Sequence, residues 1–225
     1  MASDTKSRIL DAAERFFGSL GFAETSLRAL TREAGTNLAA VNYHFGSKEG
    51  LFRAVVQRLV GSLNEERLRR LAELEGRAET PSLEELMRAF LGPALELGAD
   101  GDRGERMRQL MGRLRFEGGP TDKPLREVFR EVEERFGPAL RNALPHLEPK
   151  TFFWRMSFTL GVMCSTLFNP RQVHVISRGA CEPDVEEALD QMVSFVAAGL
   201  RAEPRSEDQG QELLGPQSGP SGRRS

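Results

Sequence analysis

The densest chemistry in the sequence lies between residues 37 and 48, where Asn37, Asn42, Tyr43, His44 and Lys48 set amide, phenol, imidazole and ammonium groups beside the small side chains of Ala39 and Ala40. Small residues let a helix backbone approach base edges, an alanine methyl can touch a thymine methyl, and an asparagine amide matches the N6 and N7 positions of adenine. Thr25, Ser26, Tyr43 and Lys48 suit phosphate oxygens, and a helix starting at Ser47 and Lys48 would present unpaired N–H groups to an anion. Such a set fits reading a DNA major groove while holding the backbone beside it.

Catalysis finds no comparable set. His44, His146 and His174 fall in separate segments, and no His/Cys or His/Glu pair has metal-ligand spacing. Gly46-Ser47-Lys48-Glu49-Gly50 superficially resembles a phosphate loop, but the upstream glycine is missing and no strand precedes it. The expectation is therefore a protein with no catalytic residues, no metal and no cofactor. Cys164 and Cys181 are too few for a disulfide framework or a four-cysteine zinc site and fit a reducing cytoplasm.

Apolar periodicity supplies the elements that must position these residues. Ile9, Leu10, Ala13, Phe16, Phe17 and Leu20 mark one face of a first helix, with Gly21 as its stop signal. Thr25 or Ser26 can cap a short second helix through Leu27, Leu30 and Ala34, which Gly35 can end, and a third runs from about Leu38 to Phe45. Ser47 can cap a long helix carrying Leu51, Phe52, Val55, Val56, Leu59, Val60 and Leu63, whose polar continuation through Arg70 to Glu75 reads as solvated. Ser82 and Glu85 make a capping box for a helix through Leu86, Phe90 and Leu95, with a kink expected at Pro93. Further helices are marked by Met107 to Leu114, by Leu125 to Phe136 with a kink expected at Gly137 and Pro138, by Thr151 to Phe168 and by Val185 to Leu200, with residues 169–183 irregular or in part helical.

No run alternates apolar and polar residues convincingly, so the fold class is all-α with about nine helices. The expected organisation is a helix-turn-helix domain over residues 1–46, a larger helical ligand-binding and dimerisation domain over 47–202, and a disordered tail over 203–225, rich in Gly, Pro, Ser, Gln and charge. With 39% apolar and 28% charged residues the chain reads as an ordinary globular protein. Its net charge of −2 gives no global basic signature, so any DNA-binding case is local. The opening residues lack the charged-then-apolar pattern of a leader peptide, and Arg155, Ser157, Thr159, Ser165 and Thr166 interrupt the most apolar stretch, so neither a leader nor a membrane span is expected.

Short helices around a glycine turn are compatible with a helix-turn-helix, whose second helix enters the major groove, but a helical hairpin in a bundle shares the pattern. The motifs Thr25-Ser26-Leu27-Arg28, Ala34-Gly35-Thr36-Asn37 and Val41-Asn42-Tyr43-His44-Phe45-Gly46-Ser47-Lys48-Glu49 resemble the signature of the TetR family across roughly residues 5 to 52. That resemblance implies a dimeric regulator, most often a repressor, on a roughly palindromic operator. It makes Thr25, Ser26, Arg28, Asn37, Ala39, Ala40, Asn42, Tyr43, His44 and Lys48 the candidate contacts to double-stranded DNA. It also implies a homodimer through the last two long helices and a small-molecule effector among the central ones.

Met87, Phe90, Met107, Met111, Phe129, Phe152 and Met156 could line an adaptable apolar effector pocket, or could equally be plain core. Arg155, beside Trp154, could anchor a ligand carboxylate or phosphate, or bridge to a glutamate on a neighbouring helix. Arg103, Arg106 and Arg113 read either as a basic rim of such a site or as a solvated face. The segments 24–28 and 37–48, with Phe152-Phe153-Trp154-Arg155, are similar to PsrA-type members of that family, which implies a long-chain fatty acid or acyl-CoA as effector. The competing reading is a helical adaptor that binds protein and no DNA; its third helix should be apolar and exposed, whereas this one is polar.

Overall fold

The computed structural model describes residues 2–114 and 119–203. Ten helices and no strand occur among them: α1 Ala2–Glu24, α2 Leu27–Glu33, α3 Leu38–Phe45, α4 Lys48–Glu75, α5 Leu83–Gly98, α6 Gly101–Leu114, α7 Asp122–Ala143, α8 Pro149–Phe168, α9 Gln172–Ile176 and α10 Val185–Arg201. The expected tail beyond residue 203 lies outside the described residues.

Local chemistry sets most of these ends. Ser26, Asn37, Ser47 and Asp184 each accept a backbone N–H at the start of a helix, and Ser82 with Glu85 forms the expected capping box. Each cap satisfies one of the N–H groups that a first helical turn leaves unpaired. Gly21, at φ 85°, breaks α1, but a last turn through Glu24 follows it. Pro93 and Pro138 lie within α5 and α7, both of which run on past them. Within the segment 169–183, Gln172–Ile176 forms the short helix α9.

Buried apolar side chains fall into two clusters. The first joins α1, α2 and α3 to the front half of α4 and continues into the larger part of the molecule through Ala94, Leu97, Met107, Leu110, Leu114, Val128 and Leu167. The second gathers Leu71 and Leu74 of α4 with α5, α7, α8 and α10. The expected boundary after residue 46 is therefore a chain connection and not a break in the core. Ion pairs cross the same junction: Glu14 of α1 takes both Arg58 of α4 and Arg106 of α6, and Arg58 also reaches Asp11 at 2.7 Å. Arg106, read as part of a basic rim, instead ties α6 to α1, and Arg103 donates to Ser62 of α4.

Between the clusters, α4 buries Asn64 and Arg67, leaving them 7% and 3% exposed. The polar continuation of this helix is thus not simply solvated. Asn64, Arg67, Leu71 and Leu74 keep the helical spacing of its inner face, while Glu65, Arg69 and Glu73 face water.

Candidate nucleic-acid interface

Leu30 of α2 and Val41 of α3 are fully buried and join the aromatic group of Phe17, Phe22 and Phe52, whose rings pack at 5.3 to 5.9 Å between centroids. With one face of α3 so anchored, the residues around Val41 must point outward. The turn between α2 and α3 is closed by Gly35 N–H donating to the Arg32 carbonyl and Thr36 N–H to that of Thr31. Gly46, at φ 77°, ends α3 in a backbone conformation that favours glycine. At Gly50 a Cβ would overlap the Phe45 carbonyl oxygen, so only glycine lets the end of α3 lie this close to the first turn of α4.

Of the sequence-predicted contacts, Ser26, Arg28, Asn37, Ala39, Asn42 and Tyr43 are exposed, and Ala40, His44 and Lys48 are half-buried. Tyr43 is 84% exposed and stacks edge-on against His44, centroids 5.0 Å apart. An amphipathic phenol held this far into solvent is poised for an external partner. Asn37 accepts the Ala40 N–H at 3.0 Å, and Ser26 accepts that of Ala29 at 3.5 Å, so both also cap the helices they would help to dock. Thr25 differs from the sequence reading: it is buried, and its hydroxyl donates to the Gly21 carbonyl at 2.6 Å, closing the break in α1.

Lys48 donates to the Ala23 carbonyl at 3.2 Å and sits 4.6 Å above the Phe22 ring, tying α4 to the end of α1 and bringing positive charge to the base of α3. The expected anion site at the start of α4 is partly occupied by the chain itself. Ser47 takes the Gly50 N–H at 3.1 Å, and the Glu49 carboxylate is held below its usual range by its own backbone N–H and the Ser47 hydroxyl.

The residues expected to line an effector pocket divide between the two apolar clusters. Met107 is buried in the first cluster, with Met111 and Phe129 packed against it; Met87 and Phe152 are buried in the second, with Phe90 and Met156 against it. Methionine and phenylalanine mark an apolar interior, and all seven side chains pack into one cluster or the other. Arg155, rather than bridging to a glutamate, donates to the carbonyls of Leu200, at 2.8 Å, and Ala202, capping the C-terminus of α10. A cleft of about 780 Å³ is walled by Leu95 of α5, Val162 and Leu167 of α8, and Val185, Met192 and Phe195 of α10. Sequence reasoning missed it because its rim, residues 169–184, carries no periodic signal.

Phe153, Trp154, Phe158 and Leu160 of α8 and Phe195 of α10 are 42 to 69% exposed, a concentration of large apolar side chains on the two helices expected to pair. Among the described residues no group of acidic, histidine or cysteine side chains could hold a metal ion, and no helix is long and apolar enough to cross a membrane.

Residues 9–55 match the model of bacterial regulatory proteins of the tetR family, and residues 88–199 match a tetracyclin repressor-like C-terminal domain. The chain is 38% identical over 76 residues to the transcriptional regulator TtgR of Pseudomonas putida, covering 33% of this chain and 34% of that protein. It is 32% identical over 80 residues to AcrR of Shigella flexneri, covering 36% and 34%. The matched stretch thus spans about a third of the length of these curated relatives. Across the fold, SmeT, the repressor of a Stenotrophomonas maltophilia multidrug efflux pump, superposes with a TM-score of 0.58 at 23% identity, over 90% of this chain and 100% of its own. FadR, a fatty acid degradation regulator from Bacillus halodurans, gives 0.58 at 14% identity, over 88% and 97%.

Proposed function

The chain belongs to the TetR family of DNA-binding transcriptional regulators, and on that premise we propose that it is a ligand-responsive repressor which acts in the cytoplasm as a homodimer on a palindromic operator. The observation that carries this is the outward face of α3: Ala39, Asn42 and Tyr43 exposed around a buried Val41, on a helix fixed at both ends by its own caps and turns. An adaptor that binds protein would show an apolar patch there.

In this reading α3 enters the major groove, with Ala39, Ala40 and Asn42 against base edges. Ser26, Arg28, Asn37, Tyr43, His44 and Lys48 meet the flanking backbone, and Thr25 holds the turn behind them. The exposed apolar faces of α8 and α10 close the dimer. This spaces two α3 helices about one DNA turn apart, roughly 34 to 36 Å. A small apolar or amphipathic effector then favours a subunit arrangement in which that spacing is lost, and α4 is the lever between the two sites. Coupling of about 1 to 3 kcal/mol would weaken operator binding roughly 5- to 150-fold. An acyl effector, a long-chain fatty acid or its CoA ester, is supported by the PsrA-like segments and by the likeness in fold to FadR, a fatty acid degradation regulator.

The test is selection of binding sites from random duplexes by the purified protein, followed by titration of the enriched site with and without long-chain fatty acid and acyl-CoA. An enriched palindrome released by an acyl compound is the expected result. A palindrome that neither compound releases would discard the acyl effector, and failure to enrich any sequence would overturn the DNA-binding role.

A further inference from the structure

Arg67 is a cation in the wrong place for a purely structural residue. It lies between the two apolar clusters, 3% exposed, and its nearest recorded partners are neutral. Its Nε donates to the Phe90 carbonyl at 2.7 Å, one terminal nitrogen reaches the Met163 sulfur at 3.6 Å, and the guanidinium lies 4.5 Å over the Phe90 ring. The charge interaction that favours its ionised form comes from Cys164, the next residue on α8 after Met163. Loss of hydration pushes its pKa down to about 10, so at neutral pH the guanidinium is still charged.

A buried guanidinium with no carboxylate among its ion pairs is costly, and one turn earlier on the same face a second polar group is incompletely paired. Asn64, 7% exposed, donates its amide nitrogen to the Val128 carbonyl at 3.0 Å, while its Oδ1 is buried with no hydrogen-bond partner. A guanidinium with no carboxylate paired to it and an amide oxygen lacking a donor thus lie one turn apart on the same face of α4.

Arg67 faces the seam between α5 and α8, and Asn64 beside it faces α7. On α8, Met163 touches Arg67, and the adjacent Val162 walls the cleft of about 780 Å³, a volume within the range of small-molecule sites. Methionine is unbranched and readily repacked, so Met163 is a movable partition between cleft and cation.

We propose that Arg67 is the anchor for an anionic amphiphile, whose carboxylate displaces the Met163 contact to pair with the guanidinium while its apolar chain extends along the α5–α8 seam into the cleft. A hydroxyl close to the carboxylate donates to Asn64 Oδ1 and adds selectivity. The anchor stands on α4, so the charge it gains acts directly on the lever that carries the DNA-binding helices. This deepens the ligand-responsive reading above and rests on it for consequence, but binding of an acid can be measured with no operator present.

Equilibrium dialysis of the full chain against dodecanoate, 3-hydroxydodecanoate and dodecan-1-ol, each below its micellar concentration, tests the assignment. A charge-assisted pair makes dodecanoate bind roughly tenfold to a hundredfold tighter than the alcohol, with the 3-hydroxy acid tighter still. In Arg67→Met the acid and the alcohol should bind alike, whereas Arg67→Lys should keep part of the preference. Equal binding of acid and alcohol by the unaltered protein, or an acid preference that survives Arg67→Met, would overturn the assignment. If Arg67→Met does not fold, the comparison on the unaltered chain and on Arg67→Lys decides it. Failure of site selection with the acid preference intact would instead refute the regulator reading and leave the anchor standing.

Discussion

Removing one aromatic ring from the exposed face of α8 should cost the dimer twice. Phe158 is 61% exposed, and its ring lies 5.9 Å from that of Trp154 on the same face. Burying a whole phenylalanine is worth about 1.5 to 3 kcal/mol, so covering this exposed part contributes roughly 1 to 2 kcal/mol. A two-fold interface contains each residue twice, so Phe158→Ala should weaken association by about 2 to 4 kcal/mol, a rise in dimer Kd of roughly 30- to 1,000-fold. The protomer itself does not need the ring, so its helical content and thermal unfolding should change little. Sedimentation velocity over a dilution series gives the Kd directly, and operator titrations at protein concentrations between the two dissociation constants should show binding by the parent chain and none by the variant. A variant that folds and dissociates over the same concentration range as its parent would refute the assignment of this face, and with it the placement of the paired α3 helices.

Gly50→Ala should unfold or displace the recognition helix, because the added methyl overlaps the Phe45 carbonyl oxygen; a lowered Tm together with lost operator binding, read by calorimetry and fluorescence anisotropy, is the expected outcome. Glu66 accepts hydrogen bonds from Arg69 and Arg70, which hold its carboxyl at about 2, well below the unfolded value. The stability it contributes is present above the unfolded pKa and is lost as pH falls toward 2, so Glu66→Gln should flatten the acid limb of the stability profile and leave the alkaline limb unchanged in urea titrations. If the dimer makes 6 to 10 phosphate contacts, operator affinity should fall by roughly 10³ to 10⁵ between 50 and 200 mM salt, and a flat response would exclude backbone-led docking.

The DNA-binding elements were legible in the sequence because what makes them is local. Ser26, Asn37 and Ser47 cap the helices they immediately precede, and the fully buried Leu30 and Val41 leave the polar residues of α3 only one way to face. Thr25 was the exception, since its hydroxyl could serve a phosphate or a backbone carbonyl equally well, and the break at Gly21 decided for the carbonyl. The sensing half was less legible because its chemistry depends on packing between distant segments. Met87 and Met107 are the same residue type and fill different clusters, while Arg155 found carbonyls at the end of a helix some 45 residues away. Arg67 was hidden among the charged neighbours Glu65, Glu66, Arg69 and Arg70, although Leu63, Leu71 and Leu74 carry the apolar spacing straight through it.

The first apolar cluster ignores the boundary at which the chain would conventionally be divided, and this bears on how such a protein can be recombined. A graft that exchanged only residues 1–46 for those of a relative would leave Met107, Leu110 and Leu114 of α6 facing a surface they were not shaped for, and Arg58 and Arg106 reaching for a Glu14 that need not be there. A transplant that keeps its solubility and its response to ligand should therefore carry α6 and the front of α4 along with the head, with the seam placed at Asn64 and Arg67, where one apolar cluster ends and the next begins. The exchangeable part of this molecule is discontinuous in sequence, and divergence between relatives should respect that: α1 and α6 are expected to change together even while α3 alone follows the operator.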